Sequence, residues 1–181
     1  LSGALVKIGG SINSKKLLTT YYLLLATLFG WYLFENLNVY PYYLTYFNQI
    51  AGGPSGGYRY VVDSNLDWGQ DVKRLADWVN KNKIQKIHLD YFGWADQTYY
   101  LKDKLVWIWA GRYTNAEEFL AENSSGGYIA VSATFFMGSI EKLETSYAWL
   151  NNYEPVTVIG NSIFVWYIPP SKPASDTEIL R

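Results

Sequence analysis

The residues with the clearest capacity for chemistry lie in Asp63-Ser64-Asn65-Leu66-Asp67-Trp68-Gly69-Gln70-Asp71, where side-chain oxygens recur at alternate positions. Alternating oxygens are what a calcium loop offers a hard cation. An EF-hand also needs glycine at its sixth position and a bidentate glutamate at its twelfth, and this stretch has Trp68 and Arg74 there. Local structure accounts better for the same residues. Asp67 caps a helix that starts at Trp68, Gln70 reaches back to it, and Asp63 and Asn65 tie down the preceding turn. A polar ligand cleft is the reading that stays open beside it. No metal and no cofactor is expected.

The remaining reactive side chains are scattered. His88 is the single histidine, and alternation along its strand sets it with Asp90 opposite Ile87, Leu89 and Tyr91. A lone imidazole without a neighbouring nucleophile reads as structural. Ser132 sits in Ala-Val-Ser-Ala-Thr, which lacks the flanking glycines of a nucleophile elbow. Glycines 52, 53, 56 and 57 bracket Pro54 without the following helix that a phosphate loop requires, so they read as a linker. No catalytic residue is assigned.

The elements that would position these groups alternate. Strands are expected over Tyr58 to Asp63, Lys86 to Phe92 and Gly127 to Thr134. An amphipathic helix over Trp68 to Asn82 carries Val72, Leu75, Ala76 and Val79 at helical spacing. A short helix over Thr114 to Glu122 has Thr114 as its cap and Glu117 at the reciprocal position; another runs from about Ile140 to Asn151. Pro155 to Ile159 and Ser162 to Ile168 flank Gly160-Asn161, a hairpin signal in reversed order. This pattern predicts a small Rossmann-like α/β domain over residues 58–168, with a mainly parallel sheet and a C-terminal antiparallel hairpin. Ligands of such sheets collect beyond the carboxyl ends of the strands. The candidate cleft residues there are Asp63, Asn65, Asp67, Gly93, Asp96, Ser132 and Thr134.

Leu17 to Phe34 contains no charged residue and as a helix would reach roughly 27 Å, close to the hydrocarbon thickness of a bilayer. Residues 17–39 are therefore expected to span a membrane. Lys7, Lys15 and Lys16 precede the run, Trp31, Tyr32 and Phe34 close it, and the next basic residue is Arg59. Residues 1–16 should thus be cytoplasmic and the following domain extracytoplasmic. Aromatic residues are 18% of the chain, and those from Tyr40 to Phe47 suit an interfacial belt before the Gly/Pro linker that ends at residue 57. A polar tail over 169–181, opened by prolines, is expected to be disordered. The net charge of -1 offers no footprint for a polyanion, so nucleic acid is not an expected partner. The absence of cysteine excludes disulfides and thiolate metal sites. The chain begins with Leu1, as a piece of a longer polypeptide would.

Three segments carry a resemblance: Tyr46-Phe47-Asn48-Gln49-Ile50-Ala51-Gly52-Gly53-Pro54, Gly57-Tyr58-Arg59-Tyr60, and the acidic stretch from Asp63 to Asp71. They resemble the last membrane helix and C-terminal region of bacterial and archaeal polytopic glycosyltransferases similar to protein O-mannosyltransferases and aminoarabinose transferases. Tyr91-Phe92-Gly93, Ser132-Ala133-Thr134 and Ser162-Ile163-Phe164-Val165 are similar to later blocks of the same region. The resemblance implies a sugar donor carried on a polyprenyl phosphate and an upstream membrane region of the same polypeptide that supplies the catalytic carboxylate. It also implies contact with membrane lipid and with a glycan or protein acceptor. This chain would be the terminal anchor and outer accessory domain. The alternatives are a membrane-anchored module that binds a small ligand, and a purely structural interaction domain.

Overall fold

The computed structural model describes residues 14–140 and 146–171, and the chain divides into two compact units at Tyr43 and Leu44. The first unit is built on helix α1 (Ser14–Val39), whose 26 residues include an 18-residue window of mean hydropathy 1.5. At about 1.5 Å per residue it extends roughly 39 Å, so it is long and apolar enough to cross a membrane. Thr19, Thr27 and Asn36 bond back to the helix's own carbonyls. The hydroxyls of Thr19 and Thr27 donate to the carbonyls of Lys15 and Leu23 at 3.0 and 2.9 Å, and Asn36 donates to the Tyr32 carbonyl at 2.7 Å. Thr19 and Thr27, which dilute the apolar run, thus pair their hydroxyls within the helix. Lys7 and the tail from residue 172 lie outside the described residues.

The second unit is an α/β sandwich around a five-stranded mixed sheet of order β2-β1-β3-β5-β4. Its strands are β1 (Ile87–Asp90), β2 (Leu105–Trp107), β3 (Gly127–Ser132), β4 (Thr157–Ile159) and β5 (Ile163–Ile168). β1 pairs in parallel with β2 and β3, whereas β5 pairs antiparallel with β3 and β4. The mainly parallel sheet expected from the alternation is thus half antiparallel. The crossover after β3 delivers β4 in the same direction one place away, and the hairpin then lays β5 into the gap between them.

Helices cover both faces. On one, Val72, Leu75, Ala76 and Val79 of α2 (Val72–Lys81) and Leu101 of α3 (Gln97–Leu101) pack on Ile87, Leu89, Ala130, Ile163 and Val165. On the other, Phe119 of α4 (Ala116–Glu122) and Ala133 and Phe136 of α5 (Ala133–Ile140), with Tyr147 and Leu150, pack on Ile129, Val131, Phe164 and Trp166. Period-two alternation along β3 and β5 divides their residues between the two cores.

Several boundaries differ from those expected. Tyr58 to Asp63 is not a strand: 3-10 turns occupy Gly57–Arg59 and Asp63–Asn65, and Asp63 adopts a left-handed φ of 58° that ends any extended run. Helix α2 starts at Val72 rather than Trp68 because Gly69, at φ 88°, cannot continue a right-handed helix. The cap of α4 is Asn115, whose side chain accepts from the Glu118 amide at 2.9 Å, while Glu118 reaches back to the Thr114 amide at 2.7 Å. The box is thus one residue later than Thr114 and Glu117. Of the helix expected from Ile140 to Asn151, residues 141–145 lie outside the described residues, and Ala148–Asn152 is a 3-10 helix. Strand β2 and helix α3 carry no strong periodicity and were not anticipated.

Candidate functional site

The connections from β1 and β3 leave for opposite faces of the sheet, β1 through α3 and β3 through α5. The carboxyl ends of these neighbouring parallel strands therefore form the point at which an open α/β sheet holds its ligand. Here the crevice is filled by the chain's own acidic loop. Asp67 is fully buried, with Oδ1 accepting from the Gly69 amide at 3.1 Å and Oδ2 without a hydrogen-bond partner among the described residues. Burial is the main cause that pushes its carboxyl up to about 7; the Gly69 amide and the Ser132 hydroxyl pull the other way, and the carboxylates of Asp71 and Asp63 add to the rise.

Around Asp67 the backbone is drawn tight. The Tyr91 hydroxyl donates to the Gly69 carbonyl at 2.5 Å, and the Tyr91 phenol is held well above its usual range, first by burial and then by Asp67. Gly93, at φ 136°, lies so close to Gly69 that a Cβ on it would come within 2.5 Å of the Gly69 Cα. Ser132 Oγ accepts from the Phe92 amide at 2.9 Å, and Thr134 Oγ1 accepts from the Asp63 amide at 2.9 Å. One turn further, Asp71 is also fully buried, paired with Arg74 and accepting from the Ser162 hydroxyl at 2.7 Å and from Gln70 Nε2 at 3.1 Å. The carboxylate lies against Gly160 of the β4-β5 turn, where a Cβ would come within 2.0 Å of its Cγ.

Of the expected cleft residues, Asp63, Asp67, Gly93, Ser132 and Thr134 do converge. Asn65 is exposed in its 3-10 turn, and Asp96 caps α3 by accepting from the Tyr99 amide at 3.1 Å. Asp67 is not a helix cap: it lies one turn before α2, at the bottom of the crevice. Gln70 does reach back, its Oε1 accepting from the Trp68 amide at 2.8 Å. Sequence reasoning left Tyr91, Gly69 and Asp71 out of the expected cleft, although Asp71 belongs to the acidic stretch it singled out. The signal for Gly69 was its place inside an otherwise helical pattern; Tyr91 was hidden because alternation already explained it as a core residue.

Asp90 and His88 lie on the face of α4 and α5. Asp90 accepts from the Tyr147 hydroxyl at 2.7 Å, and burial, against the Tyr147 and Ala110 bonds, raises it to about 6. His88 Nδ1 lies 3.1 Å from the Tyr128 carbonyl, its ring edge-on to Phe119, and burial lowers its pKa. It borders a hollow of about 580 Å³ at the amino ends of the strands, with Lys83, Lys86, Glu122 and Ser124 among its lining. Among the described residues no group of three or more histidine, aspartate or glutamate side chains is placed to hold a metal ion. The acidic loop is thus chemically a latch: a buried acid, tight glycine contacts and side-chain bonds close the crevice. Comparison with protein-family models, curated proteins and solved structures finds no match to this chain.

Proposed function

We propose that this chain is the C-terminal membrane anchor and extracytoplasmic accessory domain of a glycosyltransferase that uses a polyprenyl-phosphate-linked sugar, with the catalytic carboxylate elsewhere in the polypeptide. The observation that carries the reading is the use made of Asp63 to Asp71. This block of the resemblance is folded into the ligand crevice of the sheet, and its buried carboxylates Asp67 and Asp71 and its Gly69 hold the strand ends together. Such a domain contributes to transfer by holding donor, acceptor or neighbouring loops in register, where much of the barrier reduction in group transfer originates. Lys15 and Lys16 at the start of α1 and the aromatic residues near its end support an outward-facing domain. Its partners would be membrane lipid, the upstream catalytic region and a glycan or protein acceptor.

The test compares three proteins reconstituted in liposomes with a polyprenyl-phosphate sugar: the complete polypeptide encoded by the gene, the same polypeptide ending at Tyr43, and this chain alone. Transfer is expected only from the first at full rate, with a large loss on truncation and none from this chain. Turnover by this chain alone would overturn the assignment, as would a gene that starts at Leu1.

A further inference from the structure

The hollow at the amino ends of β1 and β3 lies wholly within the second unit and apart from the acidic crevice. Its volume of about 580 Å³ falls in the range of sites that hold a small organic molecule and is far larger than an inorganic anion needs. Its charge is one-sided. Glu122 is compensated, since both carboxylate oxygens accept from Arg112 at 2.8 Å and one also accepts from the Tyr113 hydroxyl at 2.8 Å. His88 is the most buried lining residue, at 5% exposure, and burial lowers its pKa so that the imidazole is neutral at pH 7. The charge left over is that of Lys83 and Lys86. Lys86 Nζ donates to the Asp103 carbonyl at 2.5 Å, and neither ammonium pairs with a carboxylate among the described residues.

Lys83 stands where the backbone disfavours it. The Lys83 amide donates to the Asn80 carbonyl at 3.1 Å and the Ile84 amide to the Val79 carbonyl at 3.0 Å, which is a Schellman end to α2 with Lys83, at φ 56°, in the left-handed position that glycine usually takes. A side chain kept on such a backbone indicates a use for the side chain. The remaining walls are tightly built. The loop after α4 approaches β5 so closely that a Cβ on Gly126 would come within 2.5 Å of the Ile168 carbonyl oxygen. Tyr128 and Tyr167 pair in register across β3 and β5 with ring centroids 4.9 Å apart, and Trp78 packs on Tyr128 at 5.8 Å. Tyrosines offer an apolar ring and a hydroxyl together, which suits the C–H face and the hydroxyls of a sugar.

We infer that this hollow binds a monosaccharide bearing one acidic group, a carboxylate or a phosphate, with the sugar ring against Tyr128 and Tyr167, the acid at Lys83 and Lys86, and hydroxyls at Ser124 and Ser125. Uronic acids and sugar phosphates share this chemistry. The assignment does not depend on the membrane-anchor reading, because every residue it uses belongs to the second unit.

Saturation-transfer NMR on the full chain, in a zwitterionic detergent without a sugar headgroup, tests it with glucuronate, glucose 6-phosphate, glucose and, as a competitor, inorganic phosphate. One or both acidic sugars are expected to bind several-fold more tightly than glucose or phosphate, and the tighter of the two names the acid. Lys83→Gly should weaken that binding several-fold while the melting temperature holds or rises, since glycine relaxes the left-handed backbone; lost binding is then not lost fold. Tyr167→Val keeps a strand former and should weaken the acidic sugars as well. Glucose bound as tightly as the acidic sugars would overturn the role of the lysines, and phosphate competing as well as glucose 6-phosphate would reduce the hollow to an anion site and overturn the sugar. Binding unchanged in Lys83→Gly and Tyr167→Val, or no transfer to any probe, would overturn the inference outright.

Discussion

Asp67 is an acid kept from water with one oxygen unpartnered among the described residues, and its titration follows from that burial. An unfolded chain releases this proton near 3.8, whereas the folded chain holds it to about 7. The stability linked to that proton is fully present below about pH 4 and is lost as pH rises through about 7, an interval worth on the order of 4 kcal/mol. Asp90, raised to about 6, acts in the same direction over a shorter window. The full chain in detergent should therefore melt at a higher temperature at pH 5 than at pH 8. Asp67→Asn should narrow that difference and raise the melting temperature at pH 8, because the carboxamide oxygen can still accept from Gly69 and no charge is buried. An unchanged pH dependence in the variant would exclude Asp67 as its source. The oxygens that alternate through the loop suggested a cap or a ligand. Their chemistry is instead set by depth, which spacing along a chain does not encode.

At the scale of elements, α4 shows how local rules locate a feature to within one residue. The Ser/Thr/Asn/Asp preference at a cap pointed to Thr114 with Glu117, while Asn115 with Glu118 satisfies the same rule and makes the bonds. Asn115→Ala should cost about 0.5 to 2 kcal/mol and Asn115→Asp should recover most of it; thermal melts of the two variants check this, and a neutral alanine would place the cap elsewhere. The Gly160-Asn161 turn was legible for a firmer reason. Both residues have positive φ, 60° and 65°, and the Ser162 amide donates to the Ile159 carbonyl at 3.1 Å, which is the type I′ geometry that two-residue hairpins require. Tyr58 to Asp63 misled because β-branched and aromatic residues also suit a surface turn packed on α5 and Phe164.

For the whole molecule, the proposed anchor role requires that the second unit stand outside the cytoplasm. With Lys15 and Lys16 at the start of α1 and no charge until Glu35, a reporter enzyme fused after Arg181 should be active outside the cytoplasm, and protease added to intact spheroplasts should remove the domain. A reporter active only in the cytoplasm would reverse the topology and with it the proposed access to a polyprenyl-phosphate donor.

The sequence by itself determined what depends on neighbours along the chain: an apolar helix of bilayer length, the amphipathic stripe of α2, the cores of β1 and β3, and the hairpin. These follow from period and backbone preference, which act over a few residues. Only the tertiary structure decided that β5 lies antiparallel between β3 and β4, that the short β2 completes the sheet, and that Asp67 fills the crevice. Each of these depends on contacts between residues far apart in sequence. Ser132 and Ile163 meet across the strands, and Asp63 meets Thr134 across 71 positions; such pairings are chosen by the packing of the whole domain rather than by any local pattern.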